Sequence, residues 1–499
     1  MPSRSATETL VGRTLMVAPP AGWIEGSTTW LDSLQPAGVI LFRRNLPADL
    51  EIARRAIARL HAWAAARGET FLVAMDEEGG FVTQTSPWFP VPPSARALAW
   101  AAEPDAVQDA FRTYGGRLRW LGVNLDFAPV CDVNVNPNNP VIGVRSFGDD
   151  PDRVTAYARA VHLGLREAGL LSCVKHFPGH GDTDVDSHLA LPVLQHDRAR
   201  LERVELVPFR ALVAEAPVVM VAHLACPQLG DGELPATLAP RIATQLLRGD
   251  LGFAGVAVTD AMDMQGVAAH YGVEEAAVQA LAAGCDLLLY CFEIDKPQRA
   301  REAVLAALDS GRLPRARVEE AAARVAHLQA LAASAGEGVA TAPPLGLLAD
   351  DAARYRDLCA RALRVLDPQA WRVFARVARE RGGLALVGWP AEVLERLAAR
   401  VRQHGLDPAL HDALAFEEIP PETPVLVVLG ERRPLASERV ACLRRLALER
   451  SPVALANLLT PEIDTPLVES FTTLLRSADH SDAMLEVVAA RIADLDNPV

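Results

Sequence analysis

The chain has 499 residues, of which 50% are hydrophobic and 22% are charged, so it is long enough for two folded domains and too apolar for a disordered protein. Its formal net charge of -14, with no run of Lys or Arg, argues against nucleic acid as a partner. The seven cysteines are scattered, and no stretch of about 18 apolar residues occurs. We therefore expect a soluble protein of a reducing compartment, the cytoplasm, with no membrane partner.

Eight short apolar runs, rich in β-branched residues, occur before Cys291, and helix-patterned segments separate most of them. The predicted strands are Thr14–Ala18, Gly38–Phe42, Phe71–Asp76, Val123–Val130, Ser172–Phe177, Val218–Leu224, Gly255–Asp260 and Cys285–Cys291. The segments Leu50–Arg67 and Arg153–Ala168 carry apolar residues at helical spacing, and each is followed by a glycine. This α/β alternation predicts a closed (β/α)8 TIM-like barrel, irregular at the short, turn-rich connection from Pro19 to Ala37.

Polar residues stand at or just past the carboxyl ends of the predicted strands, the face on which such barrels build active sites. These residues are Asp76, Asp126, Asp132, Lys175, His176, His223 and Asp260. A single residue of this kind is more often an ordinary strand end than a functional group. Their coincidence on one face predicts an active site.

The second half of the chain predicts a smaller domain. A helical stretch, Arg317–Ala333, ends the predicted barrel domain of residues 1–333, and residues 334–348, rich in small residues and proline, predict a linker. Residues 349–499 predict an α/β sandwich domain, because buried strand patterns alternate with helix patterns there. Its predicted strands are Leu384–Trp389, Thr423–Gly430 and Pro452–Leu458, and its predicted helices are Ala391–His404 and Leu435–Glu449.

The densest polar cluster is the segment Lys175–His188, which follows a predicted strand and contains three histidines and three aspartates. Its proline and glycines exclude a helix, so it predicts a loop at the barrel mouth. Asp186 and His188 are two residues apart, which in an extended segment places both side chains on one side. The carboxylate can then orient the imidazole and raise its basicity, as in a general acid/base dyad. A solvated loop without a function is the alternative.

The same loop also permits a zinc site formed by His176, His180 and His188. His176 and His180 have the spacing of ligands on a helix, but the proline and glycines between them prevent that helix. We therefore predict no metal and no cofactor. A nucleotide-binding P-loop is excluded because the two lysines of the chain, Lys175 and Lys296, precede His and Pro rather than Ser or Thr.

Other carboxylates and one arginine are candidates for the same site. Asp260 ends a predicted buried strand, and three roles are open to it: a nucleophile, a hydrogen-bonding group or a strand cap. Asp263, which lies past the strand end, is the weaker candidate for the functional carboxylate. Asp76 is followed by two further carboxylates and then two glycines, which permit a close approach of backbone and ligand. Arg145 lies in a glycine-flanked turn, where a surface or salt-bridged arginine is the alternative.

Motifs of several other chemistries are absent. The sequence contains no Gly-x-Ser-x-Gly, Gly-x-Gly-x-x-Gly, His-Glu-x-x-His or Cys-x-x-Cys. Serine hydrolases with a nucleophile elbow, Rossmann dehydrogenases and metalloproteases therefore lose their main sequence support.

Four segments together resemble glycoside hydrolase family 3, and more narrowly its bacterial β-N-acetylglucosaminidase branch. They are Lys175-His-Phe-Pro-Gly-His-Gly-Asp-Thr with Asp186-Ser-His188, Thr259-Asp260-Ala261, Asp76-x-Glu-Gly-Gly80 and Gly38-Val-Ile-Leu-Phe-x-Arg-Asn45. The resemblance covers the first domain in the right order, and the first of these segments is highly specific. The second domain resembles the smaller α/β domain that many family members append.

The resemblance implies roles for particular residues. Asp260 matches the family's nucleophile, His188 its histidine acid/base and Asp186 the partner of that histidine. The residues that match groups holding the hydroxyls of the terminal sugar are Asp76, Arg145, Lys175 and His176. One segment departs from the family pattern Arg-Val-x-Arg after Gly80, because this chain has Phe81-Val-Thr-Gln84. Gln84 thus replaces an arginine that contacts substrate.

The activity implied is that of a retaining exo-β-N-acetylglucosaminidase acting on a carbohydrate or muropeptide released from peptidoglycan during wall recycling. Alternatives within the family are a β-glucosidase and a glycosyl phosphorylase. Two alternatives come from other classes: a barrel lyase that forms a Schiff base on Lys175, and a carbohydrate-binding protein without catalysis. The oligomeric state is left open.

Overall fold

The computed structural model describes residues 6–26, 28–185, 190–293, 295–335, 348–430, 435–450, 452–459, 470–471 and 473–493. Its first part is a closed barrel of eight parallel strands, in which each strand pairs with the next and β8 pairs with β1. The strands are β1 Leu15–Val17, β2 Gly38–Ile40, β3 Leu72–Met75, β4 Leu125–Asp126, β5 Leu171–Phe177, β6 Val218–Val221, β7 Val256–Ala261 and β8 Leu287–Tyr290. The predicted barrel is confirmed, and each predicted strand contains or overlaps an observed one.

Helical segments surround the barrel. They are Ala6–Gly12, Thr29–Leu34, Leu50–Ala65, Ala95–Ala101, Pro104–Leu121, Pro151–Glu167, Arg198–Arg203, Leu206–Leu212, Arg241–Asp250, Gln265–Tyr271, Val273–Ala283, Asp295–Asp309 and Arg315–Ala335. Three of them begin after aspartates, Asp49, Asp150 and Asp197, whose carboxylates accept hydrogen bonds from backbone N–H groups of the first turn. In its described residues, 18–26 and 28–37, the connection from β1 to β2 contains the six-residue helix Thr29–Leu34 and no longer one, as the irregular pattern there predicts.

Both faces of the barrel strands are buried. The interior is filled by side chains such as Met16, Leu72 and Val258, and the outer face packs on the helices. A parallel sheet covered on both sides leaves no solvated face for polar residues. The chemistry-bearing side chains therefore gather at the carboxyl ends of the strands and in the loops that follow.

The second domain is a six-stranded sheet in the order β11-β10-β12-β13-β14-β9, parallel except for the pairing of β9 with β14. Its strands are β9 Arg364–Val365, β10 Gly383–Trp389, β11 Asp407–His411, β12 Val425–Leu429, β13 Val453–Asn457 and β14 Leu474–Arg476. Its helices are Leu348–Ala362, Pro368–Glu380, Ala391–Gln403, Ser437–Glu449 and Asp482–Ala493. The three predicted strands are the central ones, β10, β12 and β13. Strands β9, β11 and β14 were not predicted, because they are short or partly exposed and lack a continuous apolar run.

The predicted linker falls between two helices. The helix Arg315–Ala335 ends and the helix Leu348–Ala362 begins at its two borders, and residues 336–347 lie outside the described residues. The domain boundaries therefore stay a prediction.

The barrel and the second domain contact each other near the barrel mouth. The Ser94 hydroxyl donates to the carbonyl of Ala478 at 2.6 Å, and the Ser94 N–H donates to Asp479 at 3.3 Å. The ring of Phe81 stacks on that of His480 with centroids 5.5 Å apart. These contacts hold the loop after β3, which borders the candidate site, against the second domain.

In the part of the chain that the structure describes, no helix combines the length and apolar character needed to cross a bilayer.

Candidate active site

A cavity of about 230 Å³ opens at the carboxyl end of the barrel. Its polar lining consists of Asp76, Glu78, Gln84, Arg145, Lys175, His176, His180 and Asp260. The structure thus brings together five of the seven predicted site residues. The other two, Asp186 and His188, lie outside the described residues. A larger cavity of about 1060 Å³ lies between the barrel and the second domain and is lined by none of the predicted site residues.

Lys175 stands on β5 with its ammonium group between two carboxylates. Its Nζ lies 2.7 Å from Asp76 Oδ1 and 2.5 Å from Glu78 Oε1. Burial lowers the pKa of Lys175, but the charges of Asp76 and Glu78 outweigh burial and raise that pKa above its ordinary value. Lys175 is therefore a fixed cation. A Schiff-base lysine needs the opposite, a depressed pKa, so this environment disfavours the lyase alternative.

Glu78 binds Arg145 through both of its oxygens. The Arg145 Nε donates to Glu78 Oε2 at 2.8 Å and the Nη2 donates to Oε1 at 2.7 Å, the planar two-point geometry of a strong ion pair. Burial would raise the pKa of Glu78, but Arg145 and Lys175 lower it well below its ordinary value. Glu78 was not among the predicted site residues, although it stands in the carboxylate and glycine segment that suggested Asp76.

His176, at the end of β5, is held from both sides of its ring. Its Nδ1 lies 2.7 Å from Asp132 Oδ2, and its Nε2 lies 3.3 Å from Arg145 Nη2. Because a guanidinium group only donates hydrogen bonds, Nε2 is the acceptor and the ring hydrogen lies on Nδ1, toward Asp132. Burial would raise the pKa of Asp132, but His176 lowers it below its ordinary value. Asp132 therefore accepts the hydrogen bond from His176 Nδ1 and orients the His176 ring.

His180 lies next to His176, but a helix does not connect them. His176 belongs to β5 and His180 to the following loop, where its Nδ1 lies 2.7 Å from Thr183 Oγ1. The two rings meet edge to face, and burial lowers the pKa of His180 to about 4. The helical register that a zinc pair at this spacing requires does not occur.

Asp260 projects from the end of β7, half-buried, and lines the cavity. Its Oδ1 accepts a hydrogen bond from Ala261 N at 2.8 Å, and the carbonyl of Ala261 lies 3.0 Å from His223 Nε2. His223 thus fixes the backbone beside Asp260. Asp263, the weaker alternative, accepts hydrogen bonds from the N–H groups of Cys291 and Phe292 and does not line the cavity.

A second buried network lies directly behind the cavity. Glu77 accepts hydrogen bonds from the Tyr114 hydroxyl at 2.5 Å and from Gln84 N at 2.8 Å, and its own N–H donates to Asp126 at 3.0 Å. Burial raises the pKa of Glu77 to about 7 and the pKa of Asp126 well above its ordinary value. Among the described residues, hydrogen bonds rather than a cation partly offset the burial of Glu77, so its pKa stays above the ordinary value.

Gln84, the residue that departs from the family pattern, ties together two strand ends. Its Oε1 accepts a hydrogen bond from Arg43 N at 2.8 Å, and its Nε2 donates to the carbonyl of Asp76 at 3.4 Å. Gln84 therefore supports the segment that carries Asp76 and also lines the cavity.

The base of the loop after β5 carries a cluster of ion pairs. Ligand-type atoms of Asp182, His196 and Glu205 lie within 4.8 Å of one another. Arg200 Nη1 lies 2.7 Å from Glu205 Oε1, and His196 Nε2 lies 2.6 Å from Asp182 Oδ2. Arg200 already supplies the positive charge that these carboxylates require. The cluster is an anchor for the loop.

The fold and this cavity define a TIM-like barrel whose charged groups converge on a small polar site. Residues 20–328 match the glycosyl hydrolase family 3 N terminal domain, which is more than half of the chain, so the chain belongs to glycosyl hydrolase family 3. The resemblance inferred from the four sequence segments is confirmed.

Two curated relatives are named β-hexosaminidases. The chain is 34% identical over 316 residues to β-hexosaminidase A of Pseudoalteromonas piscicida, a match that covers 58% of this chain and 53% of that protein. It therefore spans about half the length of that relative. It is 42% identical over 270 residues to β-hexosaminidase LpqI of Mycobacterium tuberculosis (strain ATCC 25618 / H37Rv), covering 52% of this chain and 67% of that protein.

A solved structure matches both domains. This chain superimposes with a TM-score of 0.85 on a glycoside hydrolase family 3 β-N-acetylglucosaminidase from Paenibacillus sp. str. FPU-7, at 28% identity. The superposition covers 98% of this chain and 97% of that chain, so the combination of barrel and second domain is common to both proteins.

Proposed function

We propose that this chain is a retaining exo-β-N-acetylglucosaminidase that releases terminal N-acetylglucosamine. The observation that supports this most is the single cavity in which Asp260 faces the charged groups Lys175, Glu78 and Arg145. The names of the relatives, which are β-hexosaminidases and a β-N-acetylglucosaminidase, suggest the sugar.

Asp260 is proposed as the nucleophile. One of its oxygens attacks the anomeric carbon, the bond from that carbon to the glycosidic oxygen breaks, and a glycosyl-enzyme forms. A water molecule then attacks the same carbon and releases Asp260. Two inversions give net retention. The hydrogen bonds from Ala261 N to Asp260 and from His223 to the Ala261 carbonyl support this role, because they hold the carboxylate in one position.

His188 is proposed as the acid/base, with Asp186 as its partner. In the first step the imidazolium gives its proton to the departing oxygen, and in the second step the neutral ring takes a proton from water. The support comes from the sequence motif and from the described part of the loop, since His176 and His180, at its start, line the cavity.

Asp76, Arg145, Lys175 and His176 are proposed to hold the terminal sugar. Asp76 presents a carboxylate that accepts hydroxyl hydrogens, and Lys175 and Arg145 present N–H donors, so the set suits a ligand rich in hydroxyl groups. The cavity, at about 230 Å³, is smaller than the ~300–1,000 Å³ typical of drug-sized ligands and suits one sugar rather than a chain. This favours removal of a terminal residue.

We further propose that the substrate is a peptidoglycan fragment processed in the cytoplasm. A terminal N-acetylglucosamine linked to a second sugar is the chemical unit that such fragments present. The relatives' names support the released sugar but not the fragment or the compartment.

The nucleophile is tested by Asp260→Asn. Turnover of aryl β-N-acetylglucosaminide should fall by more than about 10⁴-fold, and a 2-fluoro sugar should no longer label the protein. Asp184→Asn, the same change at an exposed aspartate of the loop after β5, is the matched control and should retain activity. If the label is instead found on a different residue, that residue and not Asp260 is the nucleophile.

An aryl β-glucoside assayed in parallel tests the β-glucosidase alternative. Analysis of the products formed in the presence of phosphate tests the phosphorylase alternative.

The acid/base is tested by His188→Ala. Cleavage of an oxygen-linked disaccharide should slow by about 10²–10⁴-fold, whereas a substrate with a dinitrophenolate leaving group needs no proton and should be affected much less. Equal losses on both substrates would remove His188 from the acid step.

A further inference from the structure

The cavity has two unlike sides. The charged residues follow β3, β4 and β5, whereas the lining that follows β2 and β8 is apolar and includes Phe42 and Phe292. Asp260, at the end of β7, lies beside the apolar side because β7 pairs with β8. The charged side has the donors and acceptors that a terminal sugar needs. The apolar side is not used by the proposed mechanism.

Phe292 is the exposed member of that side. Every Phe, Trp and Tyr of the chain lies within the described residues. Among these aromatic side chains only Phe292 is exposed, with 56% of its surface accessible to solvent. Lys175 and His176, deeper in the cavity, are buried. The Phe292 ring therefore lies at the solvent-exposed rim of the cavity, whereas Lys175 and His176, two of the groups proposed to hold the terminal sugar, are buried.

The ring is held in place although it is exposed. The N–H of Phe292 donates to Asp263 Oδ2 at 2.6 Å, which fixes the backbone. The Arg44 guanidinium lies 4.9 Å from the centroid of the Phe292 ring and 4.3 Å from that of Phe42, and it donates to the carbonyl of Cys291 at 2.5 Å. An exposed aromatic ring that is already ordered loses little conformational entropy when a ligand covers it.

We propose that Phe292 is a binding platform for the sugar on the leaving-group side of the scissile bond, positioned by Arg44 and Asp263. The proposal rests on the proposed function, because it needs a terminal sugar on the charged side. A pyranose ring presents a face of C–H groups that packs against the negative face of an aromatic ring, while its hydroxyls stay in water at the rim. A fixed, exposed aromatic ring at the rim therefore suits a sugar leaving group.

The test uses a pair of substrates that differ only beyond the scissile bond. In N,N′-diacetylchitobiose the leaving group is a second sugar, whereas in N-acetylglucosaminyl β-fluoride it is a fluoride ion. Phe292→Ala should lower kcat/KM on the disaccharide by roughly 10-fold, the effect of losing about 1.4 kcal/mol of contact, and leave the fluoride within about twofold. Phe292→Trp should restore the disaccharide rate. Leu448→Ala, which removes another exposed apolar side chain at 83% exposure, is the matched control and should change neither rate.

A binding measurement separates this proposal from the activity itself. Calorimetry on Asp260→Asn protein gives the affinity gained when N-acetylglucosamine is replaced by N,N′-diacetylchitobiose. That gain should be about 10-fold smaller in the Asp260→Asn/Phe292→Ala double variant. An equal gain in both proteins, or equal losses on fluoride and disaccharide, would overturn the platform. A disaccharide that binds through Phe292 but is not cleaved would support the platform and overturn the hydrolase.

Discussion

Two buried acidic regions lie back to back at the carboxyl end of the barrel, and the pKa values of their glutamates are shifted in opposite directions. Glu78, on the cavity side, has Arg145 and Lys175 within ion-pair distance. Glu77, its neighbour in sequence, faces the Tyr114 hydroxyl and a backbone N–H. Both side chains are buried, but the pKa of Glu78 is depressed and the pKa of Glu77 is raised to about 7.

Burial alone therefore does not determine the pKa of a carboxyl group in this site. Desolvation raises both pKa values, and only the two cations on the cavity side reverse that effect. The cavity side thereby keeps fixed charges for a ligand rich in hydroxyls. The carboxyl groups of the network behind it have raised pKa values, and their hydrogen bonds position the backbone between Asp76 and Gln84.

Lys175→Met removes the cation shared by Asp76 and Glu78 and should have the largest effect of the changes considered. Asp76 and Glu78 would lose a shared partner, so we expect the free energy of unfolding to fall by about 5 kcal/mol and kcat/KM on an N-acetylglucosaminide to fall at least about 10²-fold. Urea unfolding and steady-state kinetics measure the two effects. The control is Lys296→Met at the other lysine, whose pair with exposed Glu293 is worth about 1 kcal/mol or less. Equal effects of both changes would contradict the assigned role.

Glu78→Gln tests the charged region from its acidic partner. We expect a loss of about 3–4 kcal/mol of unfolding free energy at pH 7, since a neutral amide leaves Arg145 and Lys175 undercompensated. The lowered pKa of Glu78 adds stability above its ordinary value of 4.5, and this stability is lost as the pH falls below it. The difference between wild type and variant should therefore narrow in acid. Glu69→Gln, at the surface pair with Arg13, should cost about 1 kcal/mol or less.

Glu77→Gln should have the opposite pH dependence. Because the pKa of Glu77 in the folded protein is about 7 rather than 4.5, the contribution of Glu77 to wild-type stability is full below about pH 4.5 and declines by about 3 kcal/mol up to about pH 7, at ~1.4 kcal/mol per pKa unit. The amide does not titrate, so this decline should be absent in the variant. Unfolding curves at several pH values measure it, and parallel wild-type and variant curves would show that folding does not raise the pKa of Glu77.

Asp126→Asn should have the smallest effect. The pKa of Asp126 is raised well above its ordinary value by burial, so an amide disturbs this site less than it disturbs a carboxylate paired with a cation, and the amide oxygen still accepts from Glu77 N. We expect a change within about 1 kcal/mol. The matched change Asp132→Asn, at a buried carboxylate with a lowered pKa beside His176, should cost about 3 kcal/mol. A reversed order of the two losses would contradict the division into carboxyl groups with lowered and with raised pKa values.

The barrel was predictable because its signal is local. A parallel strand covered on both faces must be apolar throughout, so each barrel strand appears in the sequence as a short apolar run, and polar residues are confined to its end. Asp76, Lys175, His176 and Asp260 were found in this way. Edge strands such as β9 and β11 escaped the same reasoning, because a half-exposed strand has no continuous apolar run.

The electrostatic roles inside the site were not predictable. Asp76, Glu77 and Glu78 are consecutive carboxylates, and nothing in their order distinguishes the one that binds Arg145 from the one that faces Tyr114. Arg145 is 67 residues from Glu78 in sequence, and Asp132 is 44 residues from His176. Nor does the sequence indicate that Phe292 stands exposed at the rim between Arg44 and Asp263.

Apolar periodicity and a few dense polar segments were thus enough to predict a barrel, the face that carries its active site and the family to which the chain belongs. Which carboxyl groups are charged, and which side of the cavity is apolar, depended on the closure of the barrel. Closure brings the ends of β2, β7 and β8 beside those of β3 to β5, and Coulomb interactions and desolvation act between those neighbours in space.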